Sequence, residues 1–379
     1  MNSTHPFAKL THLGELPVET FLRDYWQKKP LLVRNAFPNF TSAVTPDELA
    51  GYAIDDDVVS RLIVEDNGNW QVNHGPIPEA AFQDLPEAHW TLLIQHADLL
   101  DPAINQLLDT FRFIPSWRLD DIMISYASDG GGVGPHFDYY DVFLLQAEGN
   151  RRWRLGQQCS VESPLLENID MKVLRNFETK DDFIMKPGDL LYVPPKLAHW
   201  GQAQGECITY SIGFRAPSYA DVILDFSEES ASLATEDMRY SDPALPLQQH
   251  SGQISPEALA QVAEILKRYS EKEGHLASWF GGFMTRMNPG GDVASEGDYT
   301  TEDYHQGLSC QLSNFARCAF YETSDHCLLF INGAKWHCSK ELAIKLSEYK
   351  TISIQQLQAR DEYIIKHLAE EGLLDKIDE

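Results

Sequence analysis

The sequence has no C-x-x-C pair, no apolar run approaching a membrane span, no internal repeat and few basic side chains for its size. Each absence excludes something. Its six cysteines (Cys159, Cys207, Cys310, Cys318, Cys327, Cys338) are scattered without zinc-finger spacing, so they read as reduced, buried thiols. A membrane helix needs about 20 consecutive apolar residues, and none are found, so no membrane partner is expected. The start, Met1-Asn2-Ser3-Thr4-His5-Pro6, lacks a charged-then-apolar signal pattern, which predicts a cytoplasmic location. Thirty Lys and Arg against 57 Asp and Glu give a formal charge of −27. That balance argues against direct nucleic-acid binding, which needs a basic surface. It suits plain solubility, or a basic protein partner.

What is present is a globular composition. With 379 residues, 43% hydrophobic and 23% charged, the chain can bury a sizeable core in two or three domains. Pro17 suits the first turn of a helix whose apolar face is Phe21, Leu22, Tyr25 and Trp26; Pro30 stops it, and a strand follows at 31–33. Thr45-Pro46-Asp47-Glu48 reads as a helix start with Thr45 as its cap. From Ile122 onward short strands dominate, at 122–127, 142–146, 152–155, 182–185, 190–193 and 208–214. Glycine and proline punctuate them, the pattern of an antiparallel jelly roll. Beyond residue 218 the chain turns helical, with linkers at 241–252 and 288–298. The last segment pairs strands at 318–321 and 327–331 with helices at 339–348 and 361–372, which predicts a winged-helix-like module. The expected division of this α+β chain is 1–218, 219–298 and 299–379.

Within the jelly roll one stretch carries chemistry. A glycine-rich turn, 129–135, delivers His136-Phe137-Asp138, and residues two apart on a strand share a face. His136 and Asp138 can then offer an imidazole and a carboxylate to one point. His199, after the turn and strand at 186–195, can complete the set. Two histidines and a carboxylate leave coordination positions open, as non-heme Fe(II) oxygenases require. The same set suits zinc with a bound water. An oxygenase using 2-oxoglutarate also needs a fixed cation for the far carboxylate, and a guanidinium matches it with paired hydrogen bonds. Arg151, Arg152 and Arg154 compete for that role. Alternation puts Arg151 and Trp153 on one face and Arg152 and Arg154 on the other; solvent-facing salt bridges are the alternative for each. A non-catalytic jelly-roll module that binds a partner through its acidic face is the reading from a different class.

The residues that go further are His136-Phe137-Asp138-Tyr139-Tyr140-Asp141-Val142-Phe143-Leu144-Leu145-Gln146 and Gly149-Asn150-Arg151-Arg152-Trp153-Arg154-Leu155. With them stand Pro187-Gly188-Asp189-Leu190-Leu191-Tyr192-Val193-Pro194-Pro195, His199, Tyr210-Ser211-Ile212-Gly213-Phe214-Arg215-Ala216-Pro217, and the earlier Tyr25-Trp26-Gln27-Lys28-Lys29-Pro30-Leu31-Leu32. As a set, covering about residues 20–218, they resemble the JmjC-type ribosomal oxygenases of the cupin superfamily. The resemblance implies a double-stranded β-helix (jelly-roll, cupin) core, a helical dimerisation region and a C-terminal winged-helix domain, hence a homodimer. It implies His136, Asp138 and His199 as Fe(II) ligands, Arg151 as the 2-oxoglutarate anchor, and O2 as co-substrate. Asn150 stands where another basic residue is expected. Of Ser125, Tyr126, Thr209 and Ser211, which could assist at the co-substrate, Ser125 and Ser211 are expected to do so. The implied reaction is hydroxylation of an arginine in a basic large-subunit ribosomal protein, with succinate and CO2 as co-products. Histidyl hydroxylation and lysine demethylation share the machinery. Holding a guanidinium beside the iron asks for an acid at the mouth: Asp129 and Asp141 are the expected acids, with Tyr139 and Ser218 adding contacts. A turn role for Asp129 and a fold-stabilising role for Asp141 are the alternatives.

Overall fold

The computed structural model describes residues 9–272, 274–287, 297–313, 315–324 and 326–377. The chain forms two compact units, one reaching Ala216 and the other beginning at Pro217. The first unit contains helix α1 (Val18–Asp24), strand β1 (Leu31–Val33), helix α2 (Pro46–Ile54), and strands β2 (Ser60–Asp66), β3 (Asn69–His74) and β4 (Trp90–Ile94). Helix α3 (Pro102–Thr110) follows, then β5 (Leu119–Ala127), β6 (Val142–Gln158), β7 (Asp181–Met185), β8 (Leu190–Val193) and β9 (Leu197–Phe214). The strands make one antiparallel sheet in the order β1-β8-β6-β9-β5-β4-β2-β3, with β7 added against β6. Thr45 caps α2 as expected: its hydroxyl accepts from Glu48 N, and the Glu48 carboxylate accepts from Thr45 N.

Alternation along the strands explains the layers. Phe143 and Leu145 of β6, with Leu190 and Tyr192 of β8, join a large core shared with Phe21, Leu49, Leu107 and Phe111 from the helices. The intervening Val142 and Leu144, with Leu191 and Val193, face a second core built with Trp153, Leu155, Met185 and Leu197. Both faces of these strands are therefore dry, which is why they read as nearly continuous apolar runs.

Two expectations about this region change. The separate strands at 142–146 and 152–155 are one 17-residue strand, β6. Gly149, with φ +62, is a bend inside it rather than a break; a Cβ there would lie 2.1 Å from the Glu206 carbonyl oxygen on β9. The partner strand β9 likewise starts at Leu197 instead of 208, so that β6 and β9 run together from Leu197↔Gln158 to Gly213↔Val142. Their shared bend carries the long pair from the β5 side of the sheet to the β7 side.

The second unit has helices α4 (Tyr219–Ser232), α5 (Pro256–Ser270), α6 (His275–Thr285) and α7 (Thr301–Gln306), then strands β10 (Cys310–Leu312), β11 (Cys318–Glu322), β12 (Cys327–Ile331) and β13 (Ala334–Cys338). Helix α8 (Lys340–Ser347), helix α9 (Glu362–Glu370) and strand β14 (Leu374–Lys376) close it. β11, β12 and β13 form a three-stranded antiparallel sheet, while β10 pairs with β14. The expected two-stranded ribbon thus gains β13, entered through Asn332-Gly333. α6 packs on β12, where Gly281 meets the Phe330 ring. The expected linker at 288–298 falls largely on 288–296, outside the described residues. Among the described residues no helix is long and apolar enough to cross a membrane.

Candidate active site

His136 and Asp138 do not lie on a strand, contrary to expectation. His136 makes a single bridge with His199: His136 N donates to the His199 carbonyl (3.0 Å) and His199 N to the His136 carbonyl (2.8 Å). This exchange sets the two imidazoles side by side, ring centroids 4.2 Å apart. Lys196 N donates to the Asp138 carbonyl, which turns the carboxylate back toward both rings. Asp138 Oδ2 lies 3.8 Å from His136 Nε2 and 3.6 Å from His199 Nε2. One potential ligand atom from each of the three residues falls within 4.8 Å of the others. The outward nitrogens are tied down, His136 Nδ1 to the Gly134 carbonyl (2.9 Å) and His199 Nδ1 to the Leu197 carbonyl (3.0 Å). A ring that donates through Nδ1 presents the Nε2 lone pair to a metal, the outer-shell arrangement typical of histidine ligands. Burial, followed by the neighbouring His136, lowers the His199 pKa to about 4, so this ring is neutral and able to bind metal near pH 7.

Arg151 follows the β6 bend and points inward, 3% exposed. Its Nη1 donates to Ser125 Oγ (3.0 Å) and more distantly to Thr209 Oγ1 (3.4 Å). Its Nε is buried without a hydrogen-bond partner, and the ion pairs of the described residues include none to Arg151. The adjacent Cys207 thiol is no counter-ion, because burial pushes its pKa up and keeps it neutral. An isolated buried cation costs several kcal/mol. The site therefore fits an anionic ligand, and Gly201 leaves room for one: a Cβ there would come within 2.7 Å of Arg151 Nε. Arg152 and Arg154 lie on the other face, where Arg152 pairs with Asp182 and Arg154 stacks over Trp200.

The remaining expected residues divide. Ser125 is at Arg151, together with Thr209. Ser211 shares the Thr209 face, but the two hydroxyls bonded to Arg151 Nη1 are those of Ser125 and Thr209. Tyr126 points to the opposite face of β5 and packs on Trp90. Tyr139 is exposed beside the triad, edge-on to Phe137. Asp129 is a turn acid: its Oδ1 accepts from Gly205 N (2.7 Å). Asp141 is not at a mouth. It is fully buried and accepts from Tyr192 Oη (2.6 Å) and Gln27 Nε2 (2.8 Å), with Arg118 nearby at 3.5 Å. Ser218 is the cap of α4, its hydroxyl accepting from Asp221 N. Local bonding explains Ser218, since short polar side chains at helix starts bond the nearby backbone first, whereas Asp129 and Asp141 are held by partners far away in sequence.

Sequence reasoning missed Asp121, Gln146 and Tyr140. Asp121 shares the inward face of β5 with Met123 and Ser125, while Ile122 and Ile124 enter the core behind. Its Oδ2 accepts from Gln95 Nε2 (2.5 Å) and His96 N (3.2 Å). The Tyr140 phenol meets the Asp138 carboxylate, whose charge, followed by burial and the charge of Asp121, pushes its pKa well up. The period-2 pattern of 121, 123 and 125 was the available signal for Asp121.

Comparison with known proteins agrees with this geometry. A family model described as the JmjC domain matches residues 106–222. The chain is 36% identical over 289 residues to the ribosomal protein uL16 3-hydroxylase of Escherichia coli, covering 76% of this chain and 77% of that protein. It is 38% identical over 255 residues to a probable ribosomal oxygenase of Haemophilus influenzae, covering 65% of this chain and 63% of that protein. The solved structure of the E. coli ribosomal oxygenase YcfD in complex with cobalt and 2-oxoglutarate superposes with a TM-score of 0.82 at 30% identity. That match covers 96% of this chain and 98% of that one. The chain belongs to the JmjC ribosomal oxygenases, 2-oxoglutarate-dependent dioxygenases built on the cupin fold.

Proposed function

We propose that this protein hydroxylates an arginine side chain of large-subunit ribosomal protein uL16, with His136, Asp138 and His199 holding Fe(II) and Arg151 anchoring 2-oxoglutarate. The observation that carries the reading is the buried Arg151 charge, which has no carboxylate partner among the described residues and is close enough to His199 for its charge to act on that ring. Zinc hydrolysis or a binding module has no use for such a cation. When bound, Fe(II) with O2 couples oxidative decarboxylation of 2-oxoglutarate, giving succinate and CO2, to hydroxylation of an unactivated C–H bond. The chain's own part is positional. His136 and His199 aim their Nε2 atoms at one point, while Ser125 and Thr209 hold the guanidinium. Ser211 sits one pair further along the same face of β9.

For the arginine, Asp121 is a better acid than Asp129 or Asp141, because it is on the inward face and close enough to act on Tyr140. A carboxylate there pairs with a cation and gains little from a neutral imidazole, which favours arginine over histidine. The acidic composition, −27 overall, supports docking of a basic ribosomal protein and no direct nucleic-acid contact. A homodimer formed through the 219–298 region is supported by apolar faces on α4 (Tyr219, Ile223, Leu224) and α5 (Leu259, Val262, Ile265, Leu266), all exposed. The three-stranded sheet with α8 and α9 supports a winged-helix-like role for 299–379 in protein contact.

The test is incubation with Fe(II), 2-oxoglutarate and purified ribosomal proteins, read by peptide mass spectrometry and succinate release. A gain of one oxygen on an arginine of uL16, absent with His136→Ala and Arg151→Ala, is the expected result. Oxygen on a histidine would overturn the arginine assignment, and loss of a methyl group would point to demethylation.

A further inference from the structure

Behind the guanidinium lies a chain of hydrogen bonds whose direction is fixed, and it begins at a residue outside the His136, Asp138 and His199 cluster. Gln146, on β6, is fully buried. Its Nε2 donates to two backbone carbonyls, Glu148 (2.8 Å) and Ile208 (3.2 Å). Both amide hydrogens are thereby used, and the two carbonyl acceptors determine which end of the amide is nitrogen. Oε1 is left facing Thr209 Oγ1 at 3.1 Å. Thr209 has one hydroxyl proton, and Gln146 takes it, so the Thr209 lone pairs turn toward Arg151 Nη1 at 3.4 Å. Ser125 repeats the arrangement: its hydroxyl reaches toward the Thr209 carbonyl (3.4 Å) and its oxygen accepts from Nη1 at 3.0 Å. The acceptors at Nη1 are therefore neutral, Nε stays unpaired, and a neighbour shared by Gln146, Thr209 and Arg151 is the Cys207 thiol, which burial keeps neutral.

We infer that Gln146 is a positioning residue for 2-oxoglutarate: it polarises Thr209 so that Arg151 is held by one amino group while the rest of the guanidinium is reserved for the co-substrate's far carboxylate. The inference rests on the reading of Arg151 as the anchor. Without Gln146 the Thr209 proton is free to turn toward the cation, replacing an acceptor with a repelling dipole. A carboxylate at position 146 fails in two ways. It has no hydrogens for the two carbonyls, and it introduces a permanent charge that competes with the co-substrate for Arg151.

The experiment measures 2-oxoglutarate affinity calorimetrically in anaerobic, Fe(II)-loaded full-length protein, alongside kcat and both KM values. The variants are Gln146→Met, Gln146→Glu, Thr209→Val, the Gln146→Met/Thr209→Val double variant, and Arg151→Met as a control. Gln146→Met and Thr209→Val are expected to weaken 2-oxoglutarate binding about tenfold each, the scale of a lost hydrogen bond to a charged group. Iron affinity should hold, and the loss should fall on KM for 2-oxoglutarate more than on KM for the protein substrate. The double variant should be no weaker than the weaker single one, because one path is broken twice. Losses that multiply would overturn the relay through Thr209. Unchanged affinity in both Gln146 variants, with binding lost in Arg151→Met, would overturn the role of Gln146 and leave the anchor standing. Unchanged affinity in Arg151→Met would overturn the anchor itself. Should Gln146→Met not fold, Thr209→Val and Gln146→Glu carry the same comparison.

Discussion

At Asp121 the demands of burial and of the site oppose one another. The carboxyl is 5% exposed, and desolvation, with the charge of Asp98 adding to it, raises its pKa to about 6. His96 and Asp120 also face it, with opposing effects. An acid whose folded pKa is raised holds its proton more tightly in the folded protein. Stability is then complete below the ordinary value of 3.8 and is lost as pH rises through about 6. Asp121→Asn removes the ionisation, so its Tm at pH 7 should exceed that of the unaltered protein by a few degrees, an advantage that disappears below pH 4. The same variant should raise KM for the arginine substrate at least about tenfold, with KM for 2-oxoglutarate unchanged. A lower Tm at pH 7, or an unchanged substrate KM, would contradict the respective half. Residues of this kind were only partly legible. His136, Asp138 and His199 were, because their chemistry is visible in spacing. Asp121 carries only the weak signal of its alternation with Met123 and Ser125, and beside Asp120 it reads as easily as a surface acid; the burial of β5 separates the two. Asp141 failed in the opposite direction, its adjacency to the motif masking a buried partnership with Tyr192 and Gln27.

The long pair β6 and β9 shows the same thing at the scale of an element. Glycine at 149 reads as a strand end, yet here it lets two strands bend together and deliver Arg151 two residues later. Gly149→Ala would force a Cβ onto the Glu206 carbonyl at a left-handed φ, a combination that costs on the order of 2 kcal/mol or more. The expected outcome is a Tm drop of several degrees together with weaker 2-oxoglutarate binding, measured by calorimetry, and intact iron binding at the triad. A stable variant with unaltered binding would show that the bend does not position Arg151. Helix starts, by contrast, were readable residue by residue. Thr45 caps the helix that follows as expected, because a cap is a contact between residues three apart and needs no distant partner, whereas the same role of Ser218 was read as a substrate contact.

Over the whole molecule, the exposed apolar side chains of α4 and α5 are the feature a monomer would not tolerate easily. Leu266, 68% exposed on α5, is a direct probe. The proposed dimer should dissociate in Leu266→Asp, with association by light scattering weakened at least about 100-fold while the fold by circular dichroism is kept. An unchanged mass would remove this face from the interface. By itself the sequence pointed to the jelly-roll class and to His136, Asp138 and His199 as a candidate metal set through residue type, spacing and strand alternation, while the family and the choice of Arg151 over Arg152 and Arg154 came from the resemblance of its motifs. The tertiary structure decided which polar residues meet: the His136–His199 bridge, the bonding of Thr209 rather than Ser211 to Arg151, and the removal of Asp141 from the substrate. Those depend on register between strands more than 50 residues apart, on bends such as that at Gly149, and on which buried charge finds a partner, none of which a local pattern carries.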